Sequence, residues 1–403
     1  MTRDLALDLE RLRADTPGTA NVVHLNNAGS ALPPAVVVDT VVAHLRREAE
    51  IGGYEAHAEA RDRVEAARTS VGRLVGAAPE HIAFAESATV GWSRAFAALA
   101  HSGVLVPGAR ILTTQAEYAS NVIAMLQAAR HRGVSVEAVP DTAEGSVDVD
   151  ALAAMVDERV VLLALTWAPS QNGVLHDAAG AGRALRAGAP EAWYLVDGCQ
   201  AVGQLPIDVG AVDADFLAAT GRKFLRGPRG TGFLYAGPRA VTSLEPFPLD
   251  LHSAEWTSLE GYTVAEGARR FEYWETSYAG ILGLGAAADY ALDLGLDAIA
   301  LRLQAIAATI RGRLSEVPGV VVRDRGPHRG AIVTFTVDDV PAADVAAALK
   351  AAGVNVSVST PEYALRDFLA HGVRAAVRVS PHVYTSDAEV DALIGVVARA
   401  SVR

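Results

Sequence analysis

Short uninterrupted apolar runs alternate with Ala- and Arg-rich helical stretches along this chain, and that alternation limits the architectures open to it. The runs "IAFA" (82–85), "ARILTT" (109–114), "SVEAVP" (135–140) and "VVLLALT" (160–166) each lead into a helical stretch, and "WYLVD" (193–197), "ADFLAAT" (214–220) and "GTGFLYAG" (230–237) follow. Apolar strands separated by helices predict an α/β fold, in which a mostly parallel sheet is covered on both faces. This large domain is placed at 21–265. The stretch "SLEGYTVAEGARRFEYWETSYAG" reads as a loop that runs into a long helix, "ILGLGAAADYALDLG". From about 295 short strands and helices intermix. The last helix opens with "SDAE", a capping box in which Ser386 caps and Glu389 reaches back. A smaller α+β domain is expected over 266–403, with 1–20 as a helical segment contributing to it.

A length of 403 residues exceeds one core of average size and agrees with two packed domains. A net charge of −12, with no dense basic stripe, argues against a nucleic-acid partner. Cys199 is the one cysteine, so one chain can build neither a disulfide framework nor a CxxC metal pair, and no metal site is expected. The opening "MTRDLALDLERLRADTPG" carries regular charges where a signal peptide has an apolar core. No run of about 18 uncharged apolar residues has membrane character, so the expected location is the cytoplasm, without a membrane partner.

Two lysines occur among the 35 basic residues, Lys223 and Lys350. Arginine serves equally well as a surface charge, but a guanidinium stays protonated to a pKa above roughly 12. An amine can lose its proton and condense with a carbonyl to a Schiff base. Lys350, in "AALKAAG" near a helix C-terminus, reads as a solvated charge favoured by the helix dipole. Lys223, in "TGRKFLRGPRGTG", is different because three other features precede it in chain order. "FAESATVGWS" is a strand, a turn of small residues and a helix; Ser87, Ala88 and Thr89 would cradle a phosphate at the helix's positive end. "AEYASN" puts Tyr118 just after a strand, where an aromatic ring covers a flat ligand. "YLVDGCQAVG" puts Asp197 at the carboxyl end of a buried strand, where doubly wound sheets bind ligands, with Gln200 one turn on. An unpaired buried carboxylate costs several kcal/mol, roughly, so an Asp there is rarely idle. A phosphate cradle, an aromatic lid, a buried Asp and a lone Lys together meet the requirements of pyridoxal 5′-phosphate. Lys223 forms the Schiff base, and Asp197 keeps the ring nitrogen protonated so that the ring acts as an electron sink.

Each feature also has a plainer reading. Asp197 alone fits a helix N-cap, and "SAT" alone fits an ordinary capping turn. An aromatic at a strand end is more often a packing residue, and an arginine in a strand pairs with any carboxylate. Cys199 reads as a small buried thiol, and His24 and His382 as satisfied structural histidines. It is the conjunction of Lys223 with Asp197 that favours chemistry.

The block "LVDGCQAVGQLPIDV…DFLAATGRKFLRGPRGTGFLY" resembles the class V aminotransferase family of fold type I pyridoxal-phosphate enzymes, and the similarity runs from "HLNNAGSALPP" to "VRVSPHVYTSDAEVDAL". The resemblance implies that Lys223 carries the cofactor and shuttles the Cα proton, with Asp197 on the ring nitrogen. It places Gln200 and Ser170 near the phenolic oxygen and the substrate carboxylate, and Tyr118 in the ring-stacking position. Ser87, Ala88, Thr89, Thr220 and Arg222 take the phosphate positions, Arg222 standing where the family commonly has His. Arg378 in "AAVRVSP" matches the arginine that clamps the substrate α-carboxylate, and Ala28 and Gly29 match a turn that closes over the substrate. The family implies a homodimer, with Thr276 or Ser277 reaching the partner's phosphate.

Within this family a cysteine desulfurase needs a thiolate on a loop of the small domain to accept sulfur. Residues 200–403 contain no cysteine. Desulfuration is therefore disfavoured. "REAEIGGYEAHAE" and "VNVSVSTPEYALRDFLAHGVRAAVRVSPHVYTS" resemble the carbon–sulfur lyases of ergothioneine biosynthesis and related enzymes that process S-conjugated cysteines in secondary metabolism. The implied reaction is β-elimination from an S-substituted cysteine to a thiol, pyruvate and ammonia, and Tyr54 in "GGYEA" is a candidate for the leaving-group pocket. Transamination, epimerisation and decarboxylative oxidative deamination remain open, because they use the same residues. A pyridoxal-phosphate-binding sensor without turnover is the alternative outside enzymes.

Overall fold

The seven apolar runs supply all seven strands of the central sheet in the computed structural model, which describes residues 7–402. They are β1 Ile82–Ala85, β2 Arg110–Thr114, β3 Ser135–Val139, β4 Val160–Thr166, β5 Trp193–Asp197, β6 Phe216–Thr220 and β7 Gly232–Ala236. Their order is β1-β7-β6-β5-β4-β2-β3. All pairs are parallel except those of β7, which runs antiparallel to both β1 and β6. Alternate residues feed two separate cores, as strands with both faces covered require. Leu163, Leu165, Val196 and Leu217 join one core; Leu162, Ala164, Leu195 and Phe216 join the other.

The helices that bear on the site are α1 Ala35–Ile51, α2 Gly53–Val75, α3 Ala88–His101, α4 Ala119–Arg132, α5 Tyr278–Leu294, α6 Leu296–Ser315 and α7 Asp387–Ala400. By length and composition 27–51 is apolar enough to cross a membrane, but α1 packs against α2 and α5. The small domain is a four-stranded antiparallel sheet with the order 320–322, 333–337, 376–379, 357–359, covered by residues of α6 and α7. The capping box is present at α7: Ser386 accepts from the Glu389 N–H, and the Glu389 carboxylate accepts from the Ser386 N–H.

Three sequence expectations shift. The boundary expected at 265 does not coincide with a change in packing. Helix α5 lies on α1 and α2, and Ile281, Leu284 and Ala288 belong to the large core. An alanine- and glycine-rich helix packs closely wherever small residues face it, which its sequence alone cannot specify. The separate small-domain core takes in Leu25, from a segment expected in the large domain, and otherwise runs from Ile306 within α6. The stretch read as a loop from Ser258 opens on the second half of a hairpin, Ala254–Ser258 against Gly261–Val264. Most of its residues are exposed, so it lacks the apolar alternation that marks a half-buried strand. The segment expected to join the small domain bridges both: Leu12 packs in the large core, while Arg13 pairs with Glu389 of α7 at 3.0 Å. Residues 1–6 of that segment lie outside the described residues.

Two glycines bring the active loops together. Gly203 has φ +84°, and a Cβ there would lie 2.4 Å from the backbone of Phe224 and Leu225, just after Lys223. A Cβ on Gly232 would meet Ala219 at 2.5 Å and the backbone of Ser87 at 2.8 Å. Absence of a side chain at both positions lets the lysine loop and the Ser87 turn seat against the sheet.

Candidate active site

The carboxyl ends of β4, β5 and β6 open into one cavity, at the place where doubly wound sheets bind small molecules. Ten residues singled out in the sequence line it: Ser87, Ala88 and Thr89 at one end, Tyr118, Ser170, Asp197 and Gln200 along its walls, and Thr220, Arg222 and Lys223 opposite.

Strand register places Thr166 beside Asp197 and Asp197 beside Ala218, so these side chains gather where the parallel strands stop. The chain then leaves β6 through Thr220 into a closed loop. Gly221 N–H donates to Thr231 at 2.9 Å, Gly227 N–H to Gly221 at 2.7 Å and Arg226 N–H to Lys223 at 2.9 Å. That loop fixes the Lys223 backbone while its amine reaches the cavity. The Cys199 thiol lies beside it; burial pushes that thiol up, while the Lys223 charge pulls the other way.

Ser87 caps α3 by accepting the Val90 N–H at 3.2 Å. The first N–H groups of a helix have no partner within it, and Ala88 and Thr89 open here into the cavity. This end suits an anion. The Thr220 hydroxyl donates to the Thr231 carbonyl at 3.1 Å.

Asp197 is buried, and both its oxygens accept fixed donors: the Cys199 N–H at 2.9 Å and the Asn121 side-chain amide at 2.9 Å. Gln200 donates to the Ala28 carbonyl at 3.0 Å, and its own side-chain oxygen is buried without a partner. Tyr118 stands at the start of α4, half-buried, its phenol pushed up by burial and then by Cys199 and Asp197.

Arg378 sits above this floor on the small-domain strand Ala376–Val379. One guanidinium nitrogen donates to the Ser170 carbonyl at 3.2 Å and another to Asn26 at 3.3 Å, while Nε is buried without a partner. Burial, aided by the nearby Arg222, lowers its pKa to about 10. Among the described residues it has no carboxylate within salt-bridge distance. A half-buried arginine whose Nε is unpartnered and which has no counter-ion suits an anionic ligand group. Arg222 donates to the Gly29 carbonyl and so grips the 27–30 turn, a contact its expected phosphate role did not include.

Orphaned polar atoms on Gln200 and Arg378, the open helix terminus and a carboxylate held between two donors fit pyridoxal 5′-phosphate. The phosphate would lie at Ser87–Thr89, the ring between Tyr118 and the Cys199 side, and the ring nitrogen at Asp197.

Three expected residues stand apart. Thr276 and Ser277 line a neighbouring cavity with Glu86 and Gly230, and Ser277 is occupied in capping α5. Tyr54, 77% exposed, lines another recess with His57 and Trp274. Within one chain none of the three reaches the Lys223 cavity, because α2 and the start of α5 lie beyond the β1–β7 side of the sheet. His24 and His382 are structural: His382 Nε2 lies 3.0 Å from the Phe224 carbonyl, and burial lowers its pKa to about 3. Sequence reasoning missed Asn26, Glu117, Asn121 and Gln171. Glu117 and Asn121 flank Tyr118 in the same strand-to-helix turn, and that clustering of polar residues was the available signal.

A family model described as aminotransferase class V matches residues 23–393. The chain is 31% identical to a probable cysteine desulfurase of Halobacterium salinarum, over 97% of this chain and 96% of that protein. It is also 31% identical to a cysteine desulfurase of Pectobacterium atrosepticum, over 97% of each. The apo cysteine desulfurase of Thermococcus onnurineus superposes with a TM-score of 0.91 at 26% identity, covering 98% of this chain and 99% of that one. The cystine C–S lyase C-DES shares the fold, with a TM-score of 0.83 at 21% identity and coverage of 95% and 99%.

Proposed function

Because the chain belongs to the class V aminotransferase family, whose cofactor is pyridoxal 5′-phosphate, we propose that it is a carbon–sulfur lyase that eliminates a thiol from an S-substituted cysteine. The observation that carries this reading is the placement of the one cysteine. Cys199 lies in the cavity floor beside Asp197 and Lys223, and residues 200–403 offer no other thiol. The desulfurase relatives share the family, but a sulfur acceptor on the small domain is lacking in this chain.

Bound cofactor supplies an electron sink conjugated to the substrate Cα. The chain's own residues do the rest. Arg378, which lacks a carboxylate partner among the described residues, would hold the α-carboxylate. Asp197 holds a proton at the ring nitrogen. Lys223 Nζ would take the Cα proton as general base. The C–S bond then breaks with its electron pair on sulfur, and a proton completes the thiol. The three-carbon fragment leaves and takes up water to give pyruvate and ammonia. In the homodimer that belongs to this reading, Thr276, Ser277 and Tyr54 face the partner's site.

The test is product analysis with a bulky S-conjugate of cysteine. Thiol, pyruvate and ammonia form in equal amounts, with no keto acid required. Cofactor trapped in the amine form until a keto acid is added would make the enzyme an aminotransferase. Released carbon dioxide with the C–S bond intact would make it a decarboxylating oxidase. The same assay run on Cys199→Ala retains turnover, since no sulfur passes through that thiol; abolished thiol release would restore the desulfurase reading.

Arg378 gives a second check on substrate class. Arg378→Ala raises KM for amino acids by about 10- to 100-fold, the loss of a charge-assisted pair of roughly 1.5–3 kcal/mol. Arg378→Lys recovers part of this, because a point charge does not reproduce the two-pronged guanidinium. Equal activity on an amino acid and its decarboxylated amine would refute the clamp.

A further inference from the structure

Directly behind Asp197 lies a second buried carboxylate. Glu117 is 2% exposed and sits between β2 and α4. It accepts the Tyr118 N–H at 3.0 Å, the Thr166 N–H at 3.0 Å and the Asn121 side-chain amide at 2.8 Å, and it bonds the hydroxyls of Thr113 (3.2 Å) and Thr166. Thr113 is in β2 and Thr166 ends β4. The Asn121 nitrogen has two hydrogens; one goes to Glu117 and the other to Asp197. One amide therefore spans two carboxylates, with its nitrogen end fixed toward both.

We propose that Glu117, acting through Asn121, is a positioning residue that aims Asp197 at the cofactor's ring nitrogen and holds Tyr118 over the ring. Asp197 sits on β5, Tyr118 at the head of α4, and Thr166 on β4, so three elements must keep register for the ring's edge and face to be met together. Glu117 is the group bonded to the backbone of two of them and to Asn121, which reaches the third. Fixed polar partners of this kind orient a ligand-binding group much as outer-shell carboxylates orient metal-binding histidines. Burial, and next the Asp197 charge, raise the Glu117 pKa, which agrees with two carboxylates held close enough to feel one another.

The inference rests on the cofactor assignment but not on which bond the enzyme breaks, so its readouts are made without turnover. Asn121→Ala removes the bridge and leaves both carboxylates; Glu117→Gln sets an amide N–H against one of the present donors. In each variant the apoenzyme's affinity for pyridoxal phosphate falls by about 10- to 100-fold, the range for outer-shell partners. The visible circular dichroism of the bound cofactor weakens while the far-ultraviolet spectrum stays unchanged. In an Asp197→Asn background the Asn121→Ala change costs no further affinity, because the group it positions is already altered. Full additivity in that cycle, or wild-type affinity and visible dichroism in both single variants, would overturn the proposal. Should Glu117→Gln fail to fold, the Asn121→Ala cycle still decides. Absence of any cofactor binding by the wild-type chain would instead refute the cofactor reading.

Discussion

Lys223→Arg yields a folded protein that forms no covalent bond to its cofactor and has no measurable turnover. The substitution keeps the positive charge beside Cys199 and leaves the Gly221–Thr231 loop free to close, since its hydrogen bonds are made by backbone groups. What it removes is the titratable amine. A guanidinium with a pKa above roughly 12 neither condenses with an aldehyde nor accepts the Cα proton at neutral pH. General-base catalysis alone is worth about 10²–10⁴ in rate, and the covalent anchor is lost as well, so the deficit exceeds that range. Borohydride reduction of the wild-type holoenzyme followed by peptide mapping finds the label on Lys223. Lys350 lies in the last turn of the helix Ala342–Ala351, exposed and remote from the cavity. A label there, or substantial turnover by Lys223→Arg, would remove the central assignment.

Asp197→Asn is expected to have the second largest effect. Both oxygens of Asp197 already accept N–H donors, from Cys199 and from Asn121. An amide at 197 keeps one acceptor and turns an NH₂ group toward the other donor, so the local network is broken as well as discharged. The ring nitrogen loses the anion that keeps it protonated. Loss of turnover by about 10²- to 10⁴-fold follows, comparable to exchanging the orienting carboxylate of a catalytic triad for its amide. The fold and the link to Lys223 survive, so absorbance shows bound cofactor in a nearly inactive enzyme. Near-full activity would make Asp197 a helix cap and nothing more.

Both assignments were legible because each depends on a local pattern. "WYLVD" (193–197) and "FLAAT" (216–220) are apolar until their last residue, which marks a buried strand and places its polar terminus at the sheet edge where ligands bind. A lysine persisting among arginines is equally visible without coordinates. Arg378 was legible through the family resemblance. That its guanidinium has only a carbonyl and an amide as partners, and no counter-ion, came only from seeing strand Ala376–Val379 beside Asn26 and Ser170, which lie hundreds of residues away in sequence. The hairpin 254–264 was missed for the opposite reason: little of it is buried, so no hydrophobic pattern was written into it.

By itself, the sequence determined the strands of the central sheet, the order of site residues along them, the lone amine and the missing small-domain thiol. Each follows from residue type and spacing of two or about 3.6, which reach only one element at a time. The tertiary structure decided which elements meet. It put α5 with the large domain, set Tyr54 in a recess apart from the Lys223 cavity, and joined Glu117, Asn121 and Asp197 into one buried network. Such contacts depend on strand register and on the course of loops between distant segments. A buried polar group finds its partner wherever the fold brings a donor within about 3 Å, a condition that spacing along the chain does not encode.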